Sequence, residues 1–376
     1  MLNKLKKIGM VLFSLLVTFY IISSFITPFT PNDRTSLTSY LSFAGTIADE
    51  YLFENLPNDA VRHYYVSGGG SNNFSGLKAT SPVKTIQNAI DKASSSSYTK
   101  QHAVIHLLPE FSAANTLYKF GNYVGGDTIA TASVTSGYER LLNATIYIYR
   151  SNIHFVAEGP LGSVVIKPDV PAEAGVVSIK AGMSNISFHG IVFDMTTAAN
   201  EAIQSRASTY NLHIKNCRFI LGVDVVDLDG GLALDCIIEN CEFYGLSSSA
   251  DGSYISIAPV RGRIVNNLII HSSVTSSTSA MIEFAVTGNT GYCLVENNKI
   301  HGGDASGGVN QCEHGIELIG TGGHEDHVLI VGNYVAATKD TLIVAGGDDD
   351  VLIANFTNAG ATGASNVALD LTHIKY

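Results

Sequence analysis

Short runs of alternating apolar and polar residues follow one another through most of the chain, as in Leu212-His213-Ile214, Cys217-Arg218-Phe219, Val226-Asp227-Leu228 and Ile316-Glu317-Leu318. Such alternation turns one set of side chains inward and the other outward, the mark of a half-buried β-strand. Between the strands an Asn or Gly recurs at Gly190, Asn216, Asn240, Asn267, Asn297, Gly332 and Asn355, at steps of 23 to 35 residues. Both residue types tolerate a left-handed backbone, so one sharp corner is expected in every unit. Units this short leave no room for a crossover helix. Three strands per unit then wind into coils that pair in parallel, each about 4.8 Å above the last. A β-sandwich also accommodates many short strands, but gives no reason for one corner to recur at a coil-length period.

A different periodicity occurs once in the body of the chain. From Thr85 to Ala93, Ile86, Ala89, Ile90 and Ala93 fall on one face of a helix, which would cover the open end of the stack. The segment 28–60 holds Pro28, Pro31 and Pro57 among mixed polar residues and reads as a linker into the body, 61–376. No helical pattern closes the other end. An uncovered terminal coil predicts a homo-oligomer, another partner, or a short polar cap from the final residues.

Residues 1–27 carry Lys4, Lys6 and Lys7 followed by an apolar run from Ile8 to Ile26, the pattern of a signal anchor or a cleaved signal peptide. Either would place the body outside the cytoplasm, secreted or at the cell surface, and an uncleaved helix would tie it to the membrane. The formal net charge is −11, and those lysines are the only charges before residue 28, so the body is more acidic still. An acidic body without a basic run argues against a nucleic-acid partner. Five cysteines are an odd number, which excludes a complete disulfide framework. Cys217 and Cys241 each follow a corner Asn and should stack, as buried thiols or as a disulfide.

The stretch Tyr64-Tyr65-Val66-Ser67 through Gly76 to Ser81-Pro82-Val83-Lys84-Thr85-Ile86-Gln87-Asn88-Ala89-Ile90, followed by Asn-Cys-x-Phe and Asn-Asn-Lys-Ile corners, resembles the pectate-lyase-like superfamily. The resemblance covers about 61–376. It implies an all-β, right-handed parallel β-helix with an N-terminal capping helix, here preceded by the signal or anchor helix. It also implies a range of roles, from polysaccharide lyases and glycosidases to tailspikes and surface proteins without catalysis. Two motifs depart from the family's enzymes. Ser71-Asn72-Asn73 stands where the lyases carry Asp, and the run Asp348-Asp349-Asp350 follows His314-Gly315 instead of preceding it.

Chemistry is expected on the outward face of each coil's first strand. Reading coil by coil gives Ser178, Gln204, Asp227, Ser256, Glu283, Glu317 and Val344, a column that gathers three carboxylates. Glu283 and Glu317 would be neighbours at about 4.8 Å and Asp227 would lie two coils from Glu283 at about 9.6 Å. Acid/base work on a glycosidic bond needs paired carboxylates at such distances. Arg206 is either a substrate clamp or the ion-pair partner of Asp229, and His314 a proton carrier beside Glu317. His324, Glu325, Asp326 and His327, with Asp348, Asp349 and Asp350 one coil on, are either a solvated acidic turn, oxygen-rich ligands suited to Ca²⁺, or two His with a carboxylate suited to a transition metal. With no tryptophan in the chain, Tyr254 and Tyr292 remain as sugar-stacking rings. Two readings follow: a polysaccharide-binding and polysaccharide-cleaving protein with Asp227, Glu283, Glu317, Arg206 and His314 at work, or a non-catalytic surface rod for adhesion.

Overall fold

The computed structural model describes residues 61–95, 101–109, 117–120, 146–168, 176–195, 201–205, 207–220, 222, 224–245, 252–271, 277–285, 290–291, 293–303, 312–319, 325–326, 328–336, 340–345 and 351–357. All of them belong to the compact unit Ala44–Tyr376. Their strands form one all-parallel sheet system, in which a strand commonly pairs with the strand three places further along the chain. Val177–Ile179 thus lies beside Ile203–Gln204, Ser184–His189 beside Thr209–Lys215, and Val192–Asp194 beside Arg218–Ile220. A strand-to-strand step of three means that each coil contributes three strands and hands the same three positions to the next.

Inward side chains stack on their own kind from coil to coil. Ile203, Val226, Ile255, Ile282 and Ile316 follow one another in register. Phe193, Phe219 and Phe243 stack with ring centroids 5.1 and 4.8 Å apart. Parallel pairing at one strand spacing makes offset ring stacking the natural packing for aromatics at equivalent positions. Tyr254 is fully buried in this core with its ring edge-on to Phe243, so it is no sugar platform. Tyr292 lies outside the described residues.

The left-handed corner is real and has a twin. Gly190, Asn216, Asn240, Asn266, Asn297 and Gly332 all have φ between 53° and 70°. The corner residue is therefore Asn266, one position before the expected Asn267. A second column of positive φ lies at or just before the start of the second strands, at Asn152, Asn185, Asn211, Asp235 and Arg261. It is tied by amide-to-amide bonds of 2.7 Å from Asn185 to Asn152 and from Asn211 to Asn185, then by the two-pronged Arg261–Asp235 ion pair.

Just inside the first corner runs an interior ladder. Cys217 and Cys241 occupy its first rungs as free, buried thiols, which settles their pairing against a disulfide. Asn267, Asn298 and Asn333 occupy the next three. The Asn267 amide nitrogen donates to Asn298 Oδ1 at 3.0 Å and the Asn298 nitrogen to Asn333 Oδ1 at 2.9 Å. Each nitrogen also donates to a main-chain carbonyl of the preceding coil, at Ile238, Ile264 and Val295. Each oxygen accepts a main-chain N–H as well, from Cys241, Asn267 and Asn298. Buried amides are tolerated here because their donors and acceptors are matched.

The helix Ile86–Ala93 is N-capped by Thr85, whose Oγ1 accepts the Asn88 N–H at 3.0 Å. It buries Ile86, Ala89, Ile90 and Ala93 against strands Val61–Val66, His102–Leu107 and Ile146–Ile148. Buried Arg150 donates to the carbonyls of Ala93 and Gln101 and so ties the helix end to the first coils. The expected architecture needs correction at this point. Instead of a β-helix with two helices, the structure shows an all-β, largely parallel-sheet fold with this one short helix among the described residues. At 8 residues it is about 12 Å long, against roughly 30 Å of bilayer hydrocarbon. No helix among the described residues is long and apolar enough to cross a membrane. The run Ile8–Ile26, on which the anchor and signal expectation rested, and the linker 28–60 lie outside the described residues.

Candidate functional site

The first strands bring Tyr147, Ser178, Gln204, Asp227, Ser256, Glu283 and Glu317 into one register column. Its next member in register is Ile343, while Val344 pairs with Leu318, one position further along. The expected column is thus reproduced from Ser178 to Glu317 and shifted by one residue at its end. These positions point outward, yet Gln204 is 1 % exposed and Ser178 and Ser256 are also buried. Small and amide side chains on this face are therefore covered by their neighbours. The carboxylates Asp224, Asp227, Asp229 and Glu283 are half-buried around them.

Hydrogen bonds knit these side chains together. Gln204 Nε2 donates to Asp227 Oδ2 at 3.3 Å, and the Asp229 main-chain N–H to Asp227 Oδ1 at 3.3 Å. Ser256 Oγ donates to Asp229 Oδ2 at 3.4 Å and Ser253 Oγ to Glu283 Oε2 at 2.6 Å. The Ser253 N–H donates to Asp224 Oδ1 at 2.7 Å. Burial, followed by the Asp229 carboxyl as hydrogen-bond partner and like charge, pushes Asp227 up to about 7. Burial also raises Asp224 to about 6, with the charges of Glu283, Glu201 and Asp229 adding to the shift and the Ser253 N–H opposing it. Two carboxyls on one face are thus raised above the ordinary carboxylate range.

Sequence reasoning placed Asp227, Glu283 and Glu317 in this column but did not name Asp224, Glu201 and Ser253 beside them. The signal was the spacing Asp224-x-x-Asp227-x-Asp229, whose first member takes a left-handed turn at φ 47° and is thereby aimed at the next coil. Glu317 sits next to Glu283 in register, as expected. His314 does not join it. Strand Cys312–Ile319 alternates without a break, so His314 shares the face of buried Ile316, opposite to Glu317. Arg206, His324, His327 and Asp348, Asp349 and Asp350 lie outside the described residues. Glu325 and Asp326 form a short strand beside Thr290–Gly291. Among the described residues no group of three or more His, Cys, Asp or Glu is gathered to hold a metal ion.

A second polar cluster lies on the second strands. His102, His154 and Ser187 are linked by contacts of 2.9 and 2.8 Å, and His213 and Lys215 both reach Glu239 at 2.9 Å. Among the described residues neither ring nitrogen of buried His189 has a hydrogen-bond partner. Burial first, then His213, Lys215 and His154, lowers His189 to about 3, and burial with His102, Arg150 and His213 does the same to His154. Glu239 falls to about 2, chiefly through its hydrogen bond with His213.

The linkage signs follow group by group. His154, His189 and Glu239 have folded values below their unfolded ones, so the unfolded chain takes their protons first. Their contribution is whole above about 6.5 for the histidines and 4.5 for the glutamate, and is lost toward pH 3 and 2. Asp224 and Asp227 act oppositely, costing stability as pH rises from about 4 to 6 and 7. The two sets offset each other between about pH 4 and 6.5. Urea midpoints are therefore expected to form a plateau there and to fall steeply below pH 4. A continuous climb from pH 4 to 6.5 would contradict the raised carboxyls.

No protein-family model matches the chain, and no curated protein does. Among solved structures, a rhamnogalacturonan lyase matches with 10 % identity over 80 % of this chain and 84 % of its own, at a TM-score of 0.51. A Geobacillus virus E2 protein, ORF18, matches with 12 % identity over 83 % of this chain and 64 % of its own, at a TM-score of 0.33. The first of these likenesses is one of fold: the chain shares the parallel-sheet architecture of rhamnogalacturonan lyase.

Proposed function

We propose that the protein binds polysaccharide along the first-strand face and cleaves it by carboxyl acid/base chemistry. The observation that carries this reading is the place of Asp227 in the outward register column against Asp229, where burial and the neighbouring carboxyl raise it to about 7. A general acid works best with a pKa close to the working pH, and Asp227 at about 7 meets that condition. Glu283 is two strands away, about 9.6 Å by strand spacing and near the upper end of the roughly 6.5–9.5 Å that separates acid and base around an attacking water. Asp227 protonates the leaving oxygen, and Glu283, held by Ser253, orients and deprotonates the water. The fold shared with rhamnogalacturonan lyase supports a glycan as ligand.

The test is a screen of the full chain against neutral, acidic and amino polysaccharides with and without Ca²⁺, reading both binding and new reducing ends. Binding together with turnover is the expected result. Binding without turnover leaves a glycan-binding rod, and neither outcome on any glycan overturns the reading.

A further inference from the structure

Imidazole contacts are concentrated in the first coils. In the ladder that runs through Val61–Val66, His102–Leu107, Ile153–Ala157, Ser184–His189 and Thr209–Lys215, each of the four junctions has a histidine contact across it. His63 Nδ1 meets His106 Nε2 at 2.8 Å, His102 Nδ1 meets His154 Nε2 at 2.9 Å and His154 Nδ1 meets Ser187 Oγ at 2.8 Å. The rings of His189 and His213 meet edge to face, with centroids 5.4 Å apart. The strands that continue this ladder, Ile237–Glu239, Arg263–Val265, Leu294–Glu296 and Val328–Ala336, carry no histidine. A contact between two imidazole nitrogens holds only while one of them keeps its lone pair, so a histidine pair accepts one added proton but not two. On buried His189, where neither nitrogen has a hydrogen-bond partner among the described residues, a proton would be a sealed charge with nothing to receive it. Among the described residues the charged groups facing these rings are Arg150 beside His102 and His154, Lys215 and Glu239 beside His189, and Glu158 beside His106. Glu239 is already engaged by both His213 and Lys215.

We infer that the N-terminal coils form an acid-sensitive end: lowering the pH from about 7 to about 4 loosens the ladder between Val61–Val66 and Ser184–His189, while the coils from Val226–Leu234 onward stay closed. Coils of a stack touch only their neighbours, so stability is a local sum and opposite trends in different coils do not average out. His154 and His189, with folded values near 3 against 6.5 in the open chain, give up their stabilising effect as the pH falls below 6.5. Asp224 and Asp227, raised in the folded chain, strengthen their own coil over the same fall. The flat urea midpoint expected between about pH 4 and 6.5 is the sum of these two opposed local trends. At pH 4 each of the two histidines is protonated in the opened ladder and neutral in the closed one, which favours opening by roughly 10²-fold apiece. The inference does not depend on the polysaccharide reading of the first-strand face.

Hydrogen exchange read by mass spectrometry on the full chain at about pH 7 and about pH 4 tests this, with protection factors removing the pH dependence of the intrinsic exchange rate. Protection in His102–Leu107, Ile153–Ala157 and Ser184–His189 is expected to fall at least about a hundredfold at the lower pH, and that of Val226–Leu234 and Ile255–Val260 to hold or rise. His189→Leu takes no proton, so it should shrink the acid loss at least about tenfold and keep the protection seen at neutral pH. His154→Gln should act in the same direction. Equal loss along the whole chain, full protection of the three early strands at the lower pH, or an unaltered acid response in both variants overturns the inference. If a variant fails to fold, the wild-type contrast between early and later strands decides by itself.

Discussion

Asp227→Asn is expected to lower cleavage of a responsive glycan by roughly 10²–10⁴-fold, the span that a positioned general acid supplies. The substitution keeps size but not every hydrogen bond, since Asp227 Oδ2 accepts from Gln204 and Oδ1 from the Asp229 main-chain N–H, whereas Asn carries a single acceptor oxygen. An amide oxygen can still accept from Gln204 Nε2, and an amide N–H can still donate to Asp229, as the acid's O–H does. What the chemistry loses is the transferable proton. Because the amide is never charged, the half-buried position no longer costs stability as pH rises toward 7, so the urea midpoint should hold or increase. In the wild type, cleavage should decline above about pH 7 as the acid loses its proton. Initial rates against pH, run beside urea melts, check both halves. Undiminished turnover in a folded Asp227→Asn variant would remove Asp227 from the chemistry, and the wild-type alkaline limb would then need another group.

Asn298→Ala is expected to be the most damaging single change to stability, at about 3–6 kcal/mol from several buried groups left unpaired at roughly 1–3 kcal/mol each. Asn298 Oδ1 receives both the Asn267 N–H and the Asn267 amide, and its nitrogen feeds Ile264 O and Asn333 Oδ1. Truncation strands the Asn267 N–H outright and leaves the Ile264 carbonyl without its side-chain donor. A domain's whole margin is about 5–15 kcal/mol, so the loss would be a large share of it. The neighbouring Asn297 makes the control. It is exposed, sits at φ 55°, and a glycine adopts that backbone without strain, so Asn297→Gly should move the urea midpoint little. Equal effects from the two substitutions would show that the interior ladder carries no special weight.

The contrast between Asn297 and Asn298 also marks where sequence reading is limited. The recurrence of Asn and Gly announced a corner column, and the column exists. At Asn266-Asn267, however, two identical residues stand side by side, and the alternation of their neighbours cannot say which one turns and which one is buried. Spacing alone favoured Asn267. The structure turns Asn266 and buries Asn267, because only that choice lets the second amide join Asn298 and Asn333. The second corner column went unread because its residues change type from Asn to Asp235 and Arg261. Val344 was displaced to Ile343 for a related reason: both are apolar, so in-and-out alternation cannot separate them. His314 was set beside Glu317 on proximity in the chain, whereas a separation of three along a strand puts two side chains on opposite faces.

What the sequence determined by itself was local and periodic: which runs form strands, which way their side chains alternate, the corner that returns once per coil, and hence the register column from Ser178 to Glu317. Each follows from a backbone preference or a period of two that operates within a few residues. Only the tertiary structure decided that Asp229 and burial together raise Asp227, that Asp224 and Glu201 lie close by, and that the Gln204 oxygen is buried without a hydrogen-bond partner among the described residues. Burial and electrostatic fields are sums over neighbouring coils, contributed by residues some two to three dozen positions apart, and no stretch of chain carries that sum until the coils are stacked.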